Sequence, residues 1–252
     1  MIGKLGYWLA NYLEKESSSY TPVTVVLHQK LSEYLRPGDI VLIEGNKRIS
    51  VAIKYLTQST WSHAALYVGN RADPDNTTDQ KCLIEADTLE GVVAVPLSKY
   101  ATFNIRICRP VHLTPEDQEK LLTYAISKLG MQYDMKNATD LLRYLLPQPP
   151  VPVRFRRKML SIGHGDPTRA ICSTLIAGAF LSVNYPIMPA ICSQTALGEV
   201  CHIRNTSLFV PRDFDLSPYF QVVKPFLEDG FDYKQAHSAG EAQIQALHAD
   251  GS

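Results

Sequence analysis

Apolar positions in the first half of the chain come in short runs of strand length divided by turn residues. Leu35-Arg36-Pro37-Gly38-Asp39 is a turn leading into the run Ile40-Val41-Leu42-Ile43-Glu44. Ile49 to Leu56 has helical spacing, and Trp61-Ser62-His63-Ala64-Ala65-Leu66-Tyr67-Val68-Gly69 reads as a second strand. Asn70 to Lys81 is a polar hairpin loop containing Asp73-Pro74-Asp75-Asn76. A third strand at Cys82-Leu83-Ile84-Glu85-Ala86, a fourth at Gly91 to Pro96 and a fifth over Phe103 to Cys108 follow. The short connections make this half an antiparallel sheet.

The second half is mostly helical. Thr114-Pro115-Glu116-Asp117 combines an N-cap Thr, a Pro at the first helical position and acids in the first turn. That helix should run to about Leu129 and stop at Gly130, and Asn137 to Leu146 should form another. Pro147, Pro149, Pro150 and Pro152 mark an extended connection, and the basic Arg154-Phe155-Arg156-Arg157-Lys158 follows it. In the next helix Cys172, Leu175, Ile176, Ala179, Phe180 and Val183 stand at three- and four-residue steps. Asn184 to Arg204 reads as looser chain, Tyr219 to Val223 as a last strand, and the sequence from Glu228 as a polar tail. Before the sheet, Ile2, Leu5, Trp8, Leu9, Tyr12 and Leu13 form an amphipathic stripe, Ser17 to Pro22 breaks it, and a second helix spans about Val23 to Tyr34. The expected organisation is an N-terminal helical segment (1–34), one α+β domain (35–225) and a polar tail (226–252).

Composition narrows the function classes. Charge is balanced at 25 basic against 25 acidic residues in 252, with 45% hydrophobic content, which excludes a nucleic-acid binder and a disordered chain. Five cysteines (82, 108, 172, 192 and 201) without tight spacing argue against a disulfide framework and for a reducing compartment. The first residues lack the features of a secretory signal, and no run of about 18 apolar residues appears. The expected location is therefore cytoplasmic. The sequence offers a weak membrane-surface contact through the basic stretch at 154–158, its alternative being a solvated basic loop, and the Ile2 to Leu13 stripe is either a helix docked on the domain or an interfacial anchor. The oligomeric state is not set by any feature of the sequence.

Chemistry centres on Cys172. At a helix start, unpaired N–H groups and the positive end of the helix dipole favour a thiolate. Two observations compete: a cysteine on an apolar stripe also packs as a small hydrophobe, and Asp166-Pro167 has the form of an N-cap and first position, which would move Cys172 into the second turn. A partner base decides between them. Of seven histidines, His63 alone sits within an apolar strand run, where a sheet would fix its ring. Glu85, on the following strand, can then orient the imidazole and stabilise its cation. A metal site at Cys192, Cys201 and His202 is disfavoured because it lacks a second close ligand pair. No cofactor is expected.

The runs 35–42, 61–69, 84–86 and 171–175, in that order, resemble the circularly permuted NlpC-type cysteine hydrolases of the papain-fold superfamily, with the YiiX/YebB-like branch nearest. There the His and its acidic partner precede the Cys, as they do here. The resemblance implies an antiparallel sheet packed against helices, Cys172 as nucleophile, His63 as general base and Glu85 as third member. Tyr133-Asp134 is similar to a motif leading into a pocket-lining helix, and Trp61, Tyr67, Tyr133 and Ser173 are the expected substrate-binding residues. The implied activity is hydrolysis of an amide, ester or thioester through an acyl-thioenzyme, on a peptide or lipid acyl substrate. A non-catalytic ligand- or lipid-binding module on the same fold is the alternative.

Overall fold

The computed structural model describes residues 15, 28–76, 79–87, 90–132, 171–195, 198–202 and 206–224. The stripe at Ile2 to Leu13, the helix expected at Asn137 to Leu146, the Pro-rich and basic stretches and the tail from Glu228 lie outside the described residues, as does the segment boundary at 225/226. The elements in chain order are α1 (His28–Tyr34), β1 (Ile40–Ile43), α2 (Arg48–Thr57), β2 (His63–Tyr67), β3 (Lys81–Asp87), β4 (Gly91–Pro96), β5 (Ile105–Pro110) and α3 (Pro115–Ser127). Then come α4 (Ile171–Ser182), β6 (Ile191–Thr195), β7 (Gly198–His202), α5 (Pro211–Leu216) and β8 (Phe220–Val223). The class is α+β. Six strands form one sheet in the order β4-β3-β2-β1-β5-β8, and every neighbouring pair is antiparallel.

Side-chain alternation gives this sheet two buried faces. Ile40, Leu42, Ala64, Leu66, Ile84 and Ala86 point into a cluster completed by α3 and α4, through Leu121, Leu122, Leu175, Ile176 and Phe180. Val41, Ile43, Ala65, Leu83 and Ile107 point the other way, toward Leu31, Leu35 and Tyr100. Burial on both sides explains why β1 reads as a continuous apolar run rather than an alternating one. Each fully buried large side chain contributes roughly 1.5–3 kcal/mol.

Helix α4 is apolar around more of its circumference than one stripe. Ala177 is fully buried along with Ile176, Ala179 and Phe180, because the helix packs on β2 and β3 below and against α3 beside it. Small residues set that closeness: a Cβ on Gly178 would stand 3.0 Å from the Tyr124 hydroxyl. Helix α3 starts where its cap requires, with the Thr114 hydroxyl accepting from the Asp117 N–H at 3.2 Å.

One expectation is corrected. The stretch from Asn184 to Arg204, expected to be loose, contains the β6–β7 hairpin, with Cys192 opposite Cys201. Its strands carry few apolar residues, and β-branched Ile191, Thr195 and Val200 supply the strand preference that an apolar pattern does not reveal. The fifth strand also begins later than expected, at Ile105, because Phe103 closes a turn with its N–H on the Tyr100 carbonyl at 3.1 Å.

Candidate active site

Position in the sheet brings the first two candidates together. In the β2–β3 pairing Leu66 faces Ile84 and Tyr67 faces Leu83. Continuing that alternation puts His63 and Glu85 diagonally on one face. The His63 ring nitrogen Nε2 lies 3.2 Å from Glu85 Oε2. Helix α4 supplies the third group: Cys172 is its second described residue, and its sulfur lies near enough to the His63 ring and the Ala64 N–H for both to favour the thiolate. With Nε2 turned to Glu85, Nδ1 is the nitrogen left for the sulfur. The Asp166-Pro167 cap that would place Cys172 deeper in the helix lies outside the described residues.

Electrostatics pull the same way as the geometry. Burial opposes a charged Cys172, but the adjacent imidazolium and the hydrogen bonds from His63 and Ala64 outweigh it and hold the thiol below its ordinary range. Burial likewise opposes the His63 cation. The Cys172 thiolate and the Glu85 carboxylate overcome it and raise the imidazole to about 10. Glu85 is 1% exposed, and burial alone would protonate it. His63 and Lys99 instead hold it down at about 2. The arrangement favours a thiolate–imidazolium pair backed by an ionised carboxylate.

Two residues that sequence reasoning missed complete this carboxylate's hydrogen bonds. Lys99 Nζ stands 2.6 Å from Glu85 Oε1, and the Tyr100 hydroxyl donates to Oε2. Both belong to the short 3-10 turn Leu97–Tyr100 after β4. Neither sits in a motif. A signal did exist: a Glu between Ile84 and Ala86 on a doubly buried strand needs donors, and a Lys-Tyr pair at the end of the neighbouring strand can supply them. The Tyr100 ring centroid also stands 6.1 Å from that of His63.

The remaining candidates distribute differently. Ser173 is buried beside the nucleophile, its hydroxyl 4.0 Å from the Cys172 sulfur. Trp61 is near in sequence, but its ring is a core element: its N–H donates to Asp215 at 3.1 Å and Arg106 lies 4.9 Å above its face. Tyr67 stands at the opposite end of β2 from His63, about 13 Å along the strand. Tyr133 lies outside the described residues, and so do the side chains of Cys192, Cys201 and His202. Among the described residues no group of three His, Cys, Asp or Glu is placed to hold a metal ion, and no helix is long and apolar enough to cross a membrane.

Comparison with known proteins bears on the class of the chain. Residues 34–144 match the family described as permuted papain-like amidase enzyme, YaeF/YiiX, C92 family. The chain is 22% identical over 195 residues to the probable lipoprotein peptidase YaeF of Escherichia coli (strain K12), covering 70% of this chain and 67% of that protein. Among solved structures, metalloprotein yiiX from Escherichia coli O157:H7 aligns with 16% identity and a TM-score of 0.45, over 75% of this chain and 96% of that one. The matched family is described by YaeF and YiiX rather than by YebB or NlpC, and the match covers residues 34–144. The matches support a hydrolase of permuted papain-like fold.

Proposed function

We propose that this chain, which over residues 34–144 matches the permuted papain-like amidase family, is a thiol-dependent hydrolase working through a Cys172–His63–Glu85 triad. The observation that carries the reading is the gathering of the three groups: His63 Nε2 stands 3.2 Å from Glu85 Oε2, and the Cys172 sulfur is near enough to His63 for each to favour the other's charged form. The Cys172 thiolate attacks the acyl carbonyl carbon, and the carbonyl electron pair moves to oxygen. The Cys172 backbone N–H, near a helix start, is suited to receive that oxyanion. Collapse breaks the bond to the leaving group, which takes the His63 proton and departs as an amine or alcohol. The neutral imidazole then takes a proton from water, the hydroxide attacks the thioester, and the acid leaves with the thiolate–imidazolium pair restored.

The substrate is an acyl group on a peptide or a lipid. The relative's description as a probable lipoprotein peptidase supports putting lipid-linked peptides first in a screen. The test is activity-based labelling with acyl electrophiles, followed by hydrolysis assays on peptide and lipid amides. Labelling at Cys172 and turnover that both vanish in Cys172→Ala are the expected results. Tight binding of a screened amide with neither labelling nor turnover would replace this reading with a non-catalytic binding module.

A further inference from the structure

The Glu85 carboxylate is shared more widely than a three-residue triad needs. One oxygen, Oε2, faces His63 at 3.2 Å and also accepts from the Tyr100 hydroxyl. The other, Oε1, is taken by Lys99 Nζ at 2.6 Å. Lys99 is the sole member of this group with substantial solvent contact, its side chain being 39% exposed against 1% for Glu85 and 23% for His63. A purely structural ion pair would not have to sit on the carboxylate that supports the base.

The consequence appears once the thiolate is gone. In the resting site His63 lies between two anions, Cys172 and Glu85. In an acyl-thioenzyme the sulfur is a neutral thioester, so Glu85 alone would hold the imidazolium. For water activation His63 must release its proton and work as a neutral base. A full, unshared negative charge in hydrogen-bond contact keeps the ring protonated and stalls that step. A cation on the far oxygen offsets part of that charge while leaving the carboxylate ionised and aimed.

We propose that Lys99 is a positioning and charge-tuning residue of this site, acting through Glu85 to let His63 switch from acid to base between the two half-reactions. The role rests on the hydrolase reading above. Among the described residues, the groups facing His63 are Cys172 from α4, Glu85 from β3 and Tyr100 from the turn, with Lys99 behind Glu85 and Asp87 near Tyr100 at the end of β3.

The experiment follows the His63 imidazole by NMR titration in the Cys172→Ala protein, which removes the thiolate as acylation would and needs no substrate. Lys99→Met keeps the stem and removes the charge. A cation on the far oxygen of Glu85, partly screened, moves the His63 midpoint by roughly half a unit to one unit. The sign is fixed: losing a positive neighbour favours the imidazolium, so the midpoint rises. Lys99→Arg should restore it, and Lys99→Gln serves where Lys99→Met does not fold. An unchanged midpoint in the neutral variants, or a rise that Lys99→Arg fails to reverse, overturns the proposal. Selective alkylation of Cys172 in the otherwise unaltered protein is measured alongside. Its absence would sink the hydrolase reading without touching the titration result, so the two failures are distinguishable.

Discussion

Removing the His63 imidazole isolates what makes the Cys172 sulfur reactive. In His63→Ala the buried sulfur loses its cationic neighbour and retains the Ala64 N–H and the Ser173 hydroxyl. Two unit charges in contact at about 4 Å interact by about 4 kcal/mol at an intermediate dielectric, equivalent to roughly three pKa units. At pH 6 the thiolate population should therefore fall by up to about a thousandfold, the full factor applying where the parent thiol is itself not yet ionised. Reactivity falls less, because a thiolate of higher pKa is the better nucleophile, with a Brønsted slope of about 0.4–0.5. The net expectation is a loss of up to roughly thirty- to sixtyfold in iodoacetamide alkylation of Cys172 at pH 6. Mass spectrometry of limited alkylation reads this directly, with Cys82 and Cys108 as internal references. Burial raises both of these thiols, Cys108 to about 12, so neither competes at that pH. The pH dependence separates ionisation from access: once both proteins are fully ionised, at alkaline pH, His63→Ala should react as fast as the parent or faster. Equal rates at pH 6, or a deficit of the same size at every pH, would refute the ion-pair account and leave a steric one.

The other expectations are briefer. Cys172→Ala should abolish labelling by acyl electrophiles and turnover together, while Glu85→Gln should lower kcat by less than His63→Ala, since the amide keeps a hydrogen bond to the ring but loses the charge. Glu85, held at about 2 against an ordinary 4.5, contributes stability that is present above 4.5 and lost as pH falls through 2. Thermal melts should accordingly show the parent losing its advantage over Glu85→Gln across that acidic window. Behind β1, Arg109 binds Asp39 through both nitrogens, at 2.9 and 2.7 Å, with Asp39 1% exposed. Arg109→Met should cost about 3–5 kcal/mol at neutral pH. That deficit should shrink as the pH is lowered, because the Asp39 carboxyl, raised by burial, takes a proton instead. A deficit independent of pH would point to lost packing alone.

What the sequence disclosed follows from which forces leave a periodic trace. Burial on a pleated surface does, so β1 to β5 and β8 could be placed within a few residues, and the ordered appearance of His63, Glu85 and Cys172 could be read as a constellation. Packing on several sides at once leaves a blurrier trace. The α4 pattern suggested a single apolar face, whereas Ala177 and the close approach of Gly178 to Tyr124 belong to a helix enclosed by sheet and neighbour. Hydrogen bonding to one buried atom leaves no periodic trace. Lys99 and Tyr100 look like an ordinary polar turn, and Trp61 looks like a pocket residue until its N–H is found on Asp215. The same distinction explains how the site can combine a rigid base with a tunable one. His63 and Glu85 are fixed by strand register, which a hydrophobic pattern enforces, because a one-residue slip would turn both out of the site. The charge on Glu85 is adjusted by a turn residue that no packing constraint dictates, so its strength can change without disturbing the sheet.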